Sequence, residues 1–238
     1  MAKVNNDGTV DGNLGVNDPV RGLLKFGKTV FMTDGSVAAA DQIKLGEYSS
    51  VYDLLAITLF RGLTVDIRGT VDLVSLPLRA PFCQLPSFAC TPGNDVSVPE
   101  YGTMIGLAPG SYGSLLVGNG ATLNLDPNAE YTFCDVRIGR GAFVQSTDRT
   151  TVNVAGDFKI GAGASFWTPP TVNDLPLILN VGGPLIRLSQ GAIVEAAITA
   201  PDSKIKIQRG GAIYGCFCTN KLSTDKSILL ECVDTTGP

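Results

Sequence analysis

The stretch that decides the fold is Val117-Gly118-Asn119-Gly120-Ala121, which returns as Ile138-Gly139-Arg140-Gly141-Ala142 and again as Ile160-Gly161-Ala162-Gly163-Ala164. Two weaker copies follow, Leu188-Ser189-Gln190-Gly191-Ala192 and Ile207-Gln208-Arg209-Gly210-Gly211. The steps between copies are 21, 22, 28 and 19 residues. A turn phrase that returns at about this period, with a strand beside it, indicates the stacked repeats of a solenoid.

Apolar and polar residues alternate on both sides of each turn phrase. Such period-two alternation places one set of side chains inside and the other in solvent. Glycine in the turn adopts positive φ at little cost, and a small residue after it fits where two strands converge. The sequence therefore predicts an all-β chain that forms a right-handed parallel β-helix, with coils of about 20 residues and loop excursions. The inward position two residues before the phrase is held by Leu115, Val136, Phe158, Ile186 and Ile205.

We predict a single solenoid over residues 1–238. The 28-residue step is explained by a loop inserted at 167–174, where two prolines and several turn formers occur. Whether the first hundred residues share the axis of the regular coils stays open. The predicted parts are less regular N-terminal coils (20–75), a Pro-rich excursion pinned by a disulfide (76–100), regular coils (101–215) and a Cys-containing C-terminal cap (216–238).

Composition excludes several classes of protein. The net charge is −4 and the pI is about 4.8, a balance that argues against nucleic acid as a partner. The longest apolar run, 54–65, is interrupted by Arg61 and is too short to span a membrane. The first eight residues lack the apolar centre of a signal peptide. The chain is therefore either cytosolic or a mature secreted domain whose signal is absent from this sequence.

Cysteine usage favours the secreted interpretation. The chain has six cysteines, an even number, and neither a histidine nor a Cys-x-x-Cys pair that would indicate zinc. Cys83 and Cys90 bracket a short loop, and we predict that they pair. The pairing of the other four stays open, although Cys216 and Cys218 should point outward and each reach a different partner. These four are Cys134, Cys216, Cys218 and Cys232.

Three further stretches carry a resemblance to a known family. They are Leu107-Ala108-Pro109-Gly110-Ser111-Tyr112-Gly113, Ala200-Pro201-Asp202-Ser203-Lys204-Ile205 and Gly210-Gly211-Ala212-Ile213-Tyr214-Gly215. With the turn phrases, they resemble a bacterial repeat domain of unknown function from surface and pilus-associated proteins, similar to polymer-forming, bactofilin-like β-helices. The likeness covers residues 100–235. It implies a right-handed parallel β-helix, a secreted or surface location and no known chemistry. The ending Cys216-Phe217-Cys218 departs from the family and suggests a disulfide-locked cap.

Catalytic chemistry has few candidate residues. Without histidine, a Ser-His-Asp triad, a Cys-His pair and a His-ligated metal site are impossible within this chain. Four carboxylates fall near turns in successive repeats, where such residues usually cap main-chain groups. We expect no enzyme activity, no cofactor and no metal. The four are Asp126, Glu130, Asp135 and Asp148.

Two surface features are candidates for binding. Trp167, the single tryptophan, lies at the mouth of the inserted loop, where it could stack on a sugar or pack the loop onto the coil. Basic residues recur near one corner of the stack and could line a stripe, although ordinary surface charge explains them as well. They are Arg137, Arg140, Lys159, Lys204, Lys206 and Arg209.

The sequence favours a non-catalytic structural or interaction protein of the extracellular space or cell surface. Its partners would be other surface proteins or copies of itself, with glycans as a further class and no membrane span. The alternative is a carbohydrate-binding or polysaccharide-degrading β-helix module. Uncapped solenoid ends present unpaired strand edges, and end-to-end association is a route to a polymer.

Overall fold

The structure is a computed structural model that describes residues 1–12, 14–15, 23–34, 36–73, 84–168 and 177–231. All regular structure among these residues is β-strand, as predicted, and every strand pairing is parallel. The predicted loop insertion lies mostly outside the described residues. The strands are β1 (Ala2–Val4), β2 (Thr9–Asp11), β3 (Leu14–Gly15), β4 (Leu23–Phe26), β5 (Phe31–Met32), β6 (Val37–Leu45), β7 (Ser50–Val51), β8 (Asp53–Arg61), β9 (Asp66–Ile67), β10 (Val71–Leu73), β11 (Val96–Val98), β12 (Thr103–Ile105), β13 (Gly110–Ser111), β14 (Leu115–Val117), β15 (Thr122–Leu125), β16 (Glu130–Phe133), β17 (Val136–Ile138), β18 (Phe143–Ser146), β19 (Thr151–Val154), β20 (Phe158–Ile160), β21 (Ser165–Trp167), β22 (Leu177–Val181), β23 (Leu185–Leu188), β24 (Ile193–Ile207), β25 (Ala212–Tyr214), β26 (Phe217–Thr224) and β27 (Leu229–Glu231).

In the regular coils each turn of the solenoid contributes three short strands. One turn is formed by β16, β17 and β18, and the next by β19, β20 and β21, with each strand paired to its counterpart one turn later. The register repeats the sequence period, so that residues of successive turn phrases lie directly above one another. Val136, for example, pairs with Phe158, which pairs with Ile186.

The N-terminal coils share the axis of the regular coils, but they do not precede them in the stack. β1 pairs with β26 on one side and β4 on the other, and β2 lies between β27 and β5 in the same way. The coil of residues 217–231 is therefore an interior coil, and residues 2–73 continue the stack beyond it. β11 and β12 form one end of the described stack, while β9 and β10 belong to the other. The predicted C-terminal cap over 216–238 is wrong for 217–231, and 232–238 lie outside the described residues.

One corner of every coil has a left-handed backbone conformation. In the regular coils this position is the second glycine of the turn phrase, with φ of 61° at Gly141 and 65° at Gly163. In the N-terminal coils the same corner is held by residues other than glycine. Coil-to-coil hydrogen bonds from each corner N–H to the next coil join the whole column. The column is Tyr101, Gly120, Gly141, Gly163, Gly191, Gly210, Ser227, Asp7, Thr29, Tyr48 and Thr64.

The first glycine of the phrase has a different role. A Cβ on Gly139 would lie 2.7 Å from the main-chain nitrogen of Asn119 in the preceding coil, and one on Gly161 would lie 2.6 Å from the carbonyl carbon of Gly139. Glycine therefore allows adjacent coils to reach hydrogen-bonding distance at this corner.

The core is a set of stacked inward columns that runs through both halves of the chain. The predicted column of Leu115, Val136, Phe158, Ile186 and Ile205 is buried throughout. Register carries it onward through Leu222, Ala2, Leu24 and Ile43, all buried as well. The hydrophobic core is thus continuous across the junction between the C-terminal and N-terminal coils.

Candidate functional site

Residues 84–95 run along the outside of the stack as a return segment. Its Leu85 and Phe88 side chains lie beside Gly182, and Thr91 donates its N–H to the Tyr112 carbonyl several coils away. Val96 then begins the end strand β11. The return segment therefore crosses successive coils toward one end of the stack, which agrees with the predicted excursion.

A disulfide fastens the return segment to the stack. Cys90 is bonded to Cys134, with the Cα atoms 5.0 Å apart. The predicted Cys83–Cys90 pairing is therefore wrong, because the segment passes over the coil that carries Cys134 and does not close a small loop on itself. Cys216 and Cys218 are also disulfide-bonded, and no described cysteine is a free thiol. Cys83 and Cys232 lie outside the described residues.

A polar ladder crosses the outer face of the sheet near the return segment. Asn180 donates its side-chain N–H to Asn153 Oδ1 at 2.8 Å, and Asn153 donates to Glu130 Oε1 at 2.7 Å. Asn153 is only 1% exposed although it points away from the hydrophobic core. In register, Thr132, Asn153, Asn180 and Thr199 occupy one column. Sequence analysis missed this ladder because its members share polarity but no residue type.

The four candidate carboxylates do not converge. Asp135 accepts a hydrogen bond from the Asp157 N–H at 2.9 Å, and Asp148 accepts from the Arg149 N–H and the Asn128 amide. Glu130 belongs to the polar ladder. Asp126 contributes main-chain groups, including an N–H that donates to the Tyr131 hydroxyl at 3.0 Å. No cluster of potential metal ligands occurs among the described residues. Capping of adjacent coils explains the turn carboxylates, as the sequence suggested.

Trp167 lies on the outer face of β21, opposite Gln145 of the preceding coil. Its side chain is half-buried, and its indole N–H is buried without a hydrogen-bond partner among the described residues. The segment that follows, 169–176, lies outside the described residues. The described geometry fits packing of the ring onto the coil, and it offers no open sugar-stacking face.

Both ends of the described stack expose apolar side chains. At the β11–β12 end, Tyr101 is 82% exposed and Ile105 76%. At the opposite end, Leu63 is 75% exposed and Leu73 65%. Within the described chain, β12 pairs only with β15 and β9 only with β7, so each end also offers strand edges.

Comparison with known proteins adds no relative to this description. The chain matches no family model, and no match is found among curated proteins or among solved structures. What the fold defines is the class: a repeat protein of the parallel β-solenoid type. No helix in the described residues is long and apolar enough to cross a membrane.

Proposed function

We propose that this chain is a non-catalytic scaffold of the cell exterior whose copies associate end to end. The observation that carries the proposal is the pairing of exposed apolar side chains with open strand edges at both ends of a continuous parallel stack. Strand edges of this kind are templates for another chain, and solenoids usually cover them with polar capping repeats. The resemblance to polymer-forming bacterial surface β-helices supports the same function.

The location outside the cytosol is supported by cysteine oxidation. All four described cysteines are in disulfides, which persist in secreted proteins and are rare in the cytosol. A thiol count under denaturing, non-reducing conditions, on protein from its natural compartment, tests this part. We expect no free thiols, and six free thiols would return the chain to the cytosol.

The absence of a catalytic role is supported by the turn carboxylates, which are engaged in main-chain capping or the polar ladder. A rod whose polar side chains stabilise its own coils is suited to display surfaces and to contact partners. Its partners would be other surface proteins in addition to copies of itself.

Light scattering over a wide concentration range tests end-to-end association. We expect the mean mass to rise with concentration, and Ile105→Lys at one end or Leu73→Lys at the other to stop that rise. Leu116→Lys is the matched control, because Leu116 is 51% exposed but lies on the side of the rod. A particle that stays monomeric throughout, or growth that the two end variants do not affect, would refute the proposal.

A further inference from the structure

One outward column of the stack is a ladder of positive charge. Arg137 pairs with Lys159, Lys159 with Arg187, and Arg187 with Lys206. Lys206 is followed by Ser223, which pairs on its other side with Lys3. The column continues to Lys25 and Lys44. We name this column the basic ladder: Arg137, Lys159, Arg187, Lys206, Lys3, Lys25 and Lys44.

The basic ladder exists only because the N-terminal coils stack on the C-terminal coil. Four of its cations come from the regular coils and three from the first 45 residues. Adjacent members lie one strand spacing apart, about 4.8 Å, so the ladder is a straight row about 34 Å long. None of the seven residues is buried.

Little within the described chain neutralises this row. Lys159 pairs with Asp157 at 2.7 Å, and Lys44 lies 5.1 Å from the centre of the Phe60 ring. No ion pair among the described residues reaches Arg137, Arg187, Lys206, Lys3 or Lys25. Like charges directly opposite each other in a sheet are destabilising. A run of them in a chain of net charge −4 therefore costs stability that a bound polyanion would restore.

More cations flank the middle of the row. A groove of about 540 Å³ opens there, at the junction of the two halves, with Lys3, Arg209 and Lys226 in its lining beside Asp225 and two asparagines. Lys204 and Lys221 form a second, shorter basic row on the same face, two residues away from the ladder. The strongest positive charge is therefore on the face where the groove provides room for a ligand.

From this placement we infer that the basic ladder binds a linear acidic polysaccharide, with uronate carboxylates placed along the row. A straight, evenly spaced row suits an extended polymer that carries its charges along one line. Single-stranded nucleic acid is disfavoured because such sites use aromatic side chains for base stacking, and the only aromatic neighbour on the ladder is Phe60, which Lys44 already covers. Duplex DNA winds its phosphates away from a straight row. This inference does not depend on end-to-end association.

The test uses the intact, disulfide-bonded chain and polygalacturonate as the probe, measured by isothermal titration calorimetry at low and high salt. We expect binding that weakens as salt rises and that raises the melting temperature. The triple variant Arg187→Gln, Lys206→Gln, Lys25→Gln should bind about 100-fold more weakly. Arg149→Gln, an equal charge change at an exposed site off the ladder, should change affinity less than about twofold.

Neutral dextran, duplex DNA and phosphatidylserine vesicles are the comparison ligands. Binding of polygalacturonate that is lost in the triple variant and kept in the Arg149 variant supports the inference. The absence of binding at low salt overturns it, as do equal losses in both variants or binding to DNA or vesicles in place of polygalacturonate. The triple variant should melt no lower than the parent chain, since it removes repulsion, and this measurement separates lost binding from lost folding.

Discussion

The two glycines of one turn phrase should differ sharply in what a methyl group costs them. Gly141 has φ of 61° and nothing within 4 Å of an added Cβ, so Gly141→Ala introduces backbone strain alone. That strain is about 1–2 kcal/mol, and the smaller entropy of the unfolded alanine chain offsets about 0.4–1 kcal/mol of it. The expected net loss is about 1 kcal/mol.

Gly139→Ala acts through contact between coils. Its Cβ would lie 2.7 Å from the Asn119 nitrogen, well inside the contact distance of about 3.5–4.0 Å, and main-chain atoms of two coils must separate to admit it. The separation weakens coil-to-coil hydrogen bonds such as Gly139 N–H to the Val117 carbonyl, now 2.7 Å. We expect a loss of about 3 kcal/mol, at the upper end for overpacking.

Guanidinium unfolding of both variants, under non-reducing conditions and followed by Trp167 fluorescence, measures the difference. Trp167 is a suitable probe because it is the single tryptophan and lies on the coil directly after these glycines. The expected order is parent chain, then Gly141→Ala, then Gly139→Ala. Equal losses, or a larger loss for Gly141→Ala, would refute the assignment of one glycine to strain and the other to coil contact.

Three further outcomes are expected. Tyr48→Gly should stabilise the fold by about 0.5–1 kcal/mol in the same unfolding assay, because it relieves a non-glycine corner with φ of 57°; a loss would contradict this. The double variant Cys90→Ser, Cys134→Ser opens a closure of 44 residues and should cost up to about 4 kcal/mol, and peptide mapping of the parent should recover the Cys90–Cys134 link. Burial raises the pKa of Tyr131 above its usual 10.0, so stability should be full below pH 10 and fall as pH rises through the higher folded-state pKa. Tyr131→Phe should cost about 2 kcal/mol near neutral pH through two lost hydrogen bonds, and should flatten that alkaline fall in pH-dependent melting; an unchanged alkaline slope would contradict the assignment.

The regular coils could be predicted from sequence because their corner position is glycine and the next residue is small. Gly120, Gly141 and Gly163 mark the left-handed corner in the sequence itself. The N-terminal coils have the same corner, but Asp7, Thr29 and Tyr48 occupy it, and these residue types give no signal of positive φ. Their periodicity was therefore only partly visible.

The order of coils in the stack could not be read from the chain. Each coil offers strand edges of the same kind on both sides, so local sequence does not specify which coil becomes its neighbour. The inward column accepts Ala2 above Leu222 as readily as it accepts Val136 above Leu115. The wrong Cys83–Cys90 pairing has the same origin, since proximity along the chain is a poor guide once residues 84–95 run along the outside of the stack.

The basic residues illustrate the same limit at the candidate site. The sequence placed Arg137, Lys159 and Lys206 near one corner, and the structure aligns them in a single column. The continuation through Lys3 and Lys25 depends on stacking between chain segments about 200 residues apart. Pattern analysis along the chain does not detect such a neighbour relation.

The placement of the N-terminal coils beyond the C-terminal coil is the central claim, and one distance tests it. Leu63 and Tyr101 lie at the corner column's two ends, which ten coil-to-coil hydrogen bonds separate. At about 4.8 Å per coil, that separation is about 48 Å. Spin labels on non-natural amino acids at these exposed positions leave the disulfides intact, and dilution with unlabelled protein removes distances between copies. A mean distance near 48 Å by pulsed dipolar spectroscopy is the expected result. Strong coupling at about 10 Å or less, as sequential stacking of the coils would give, would contradict the account.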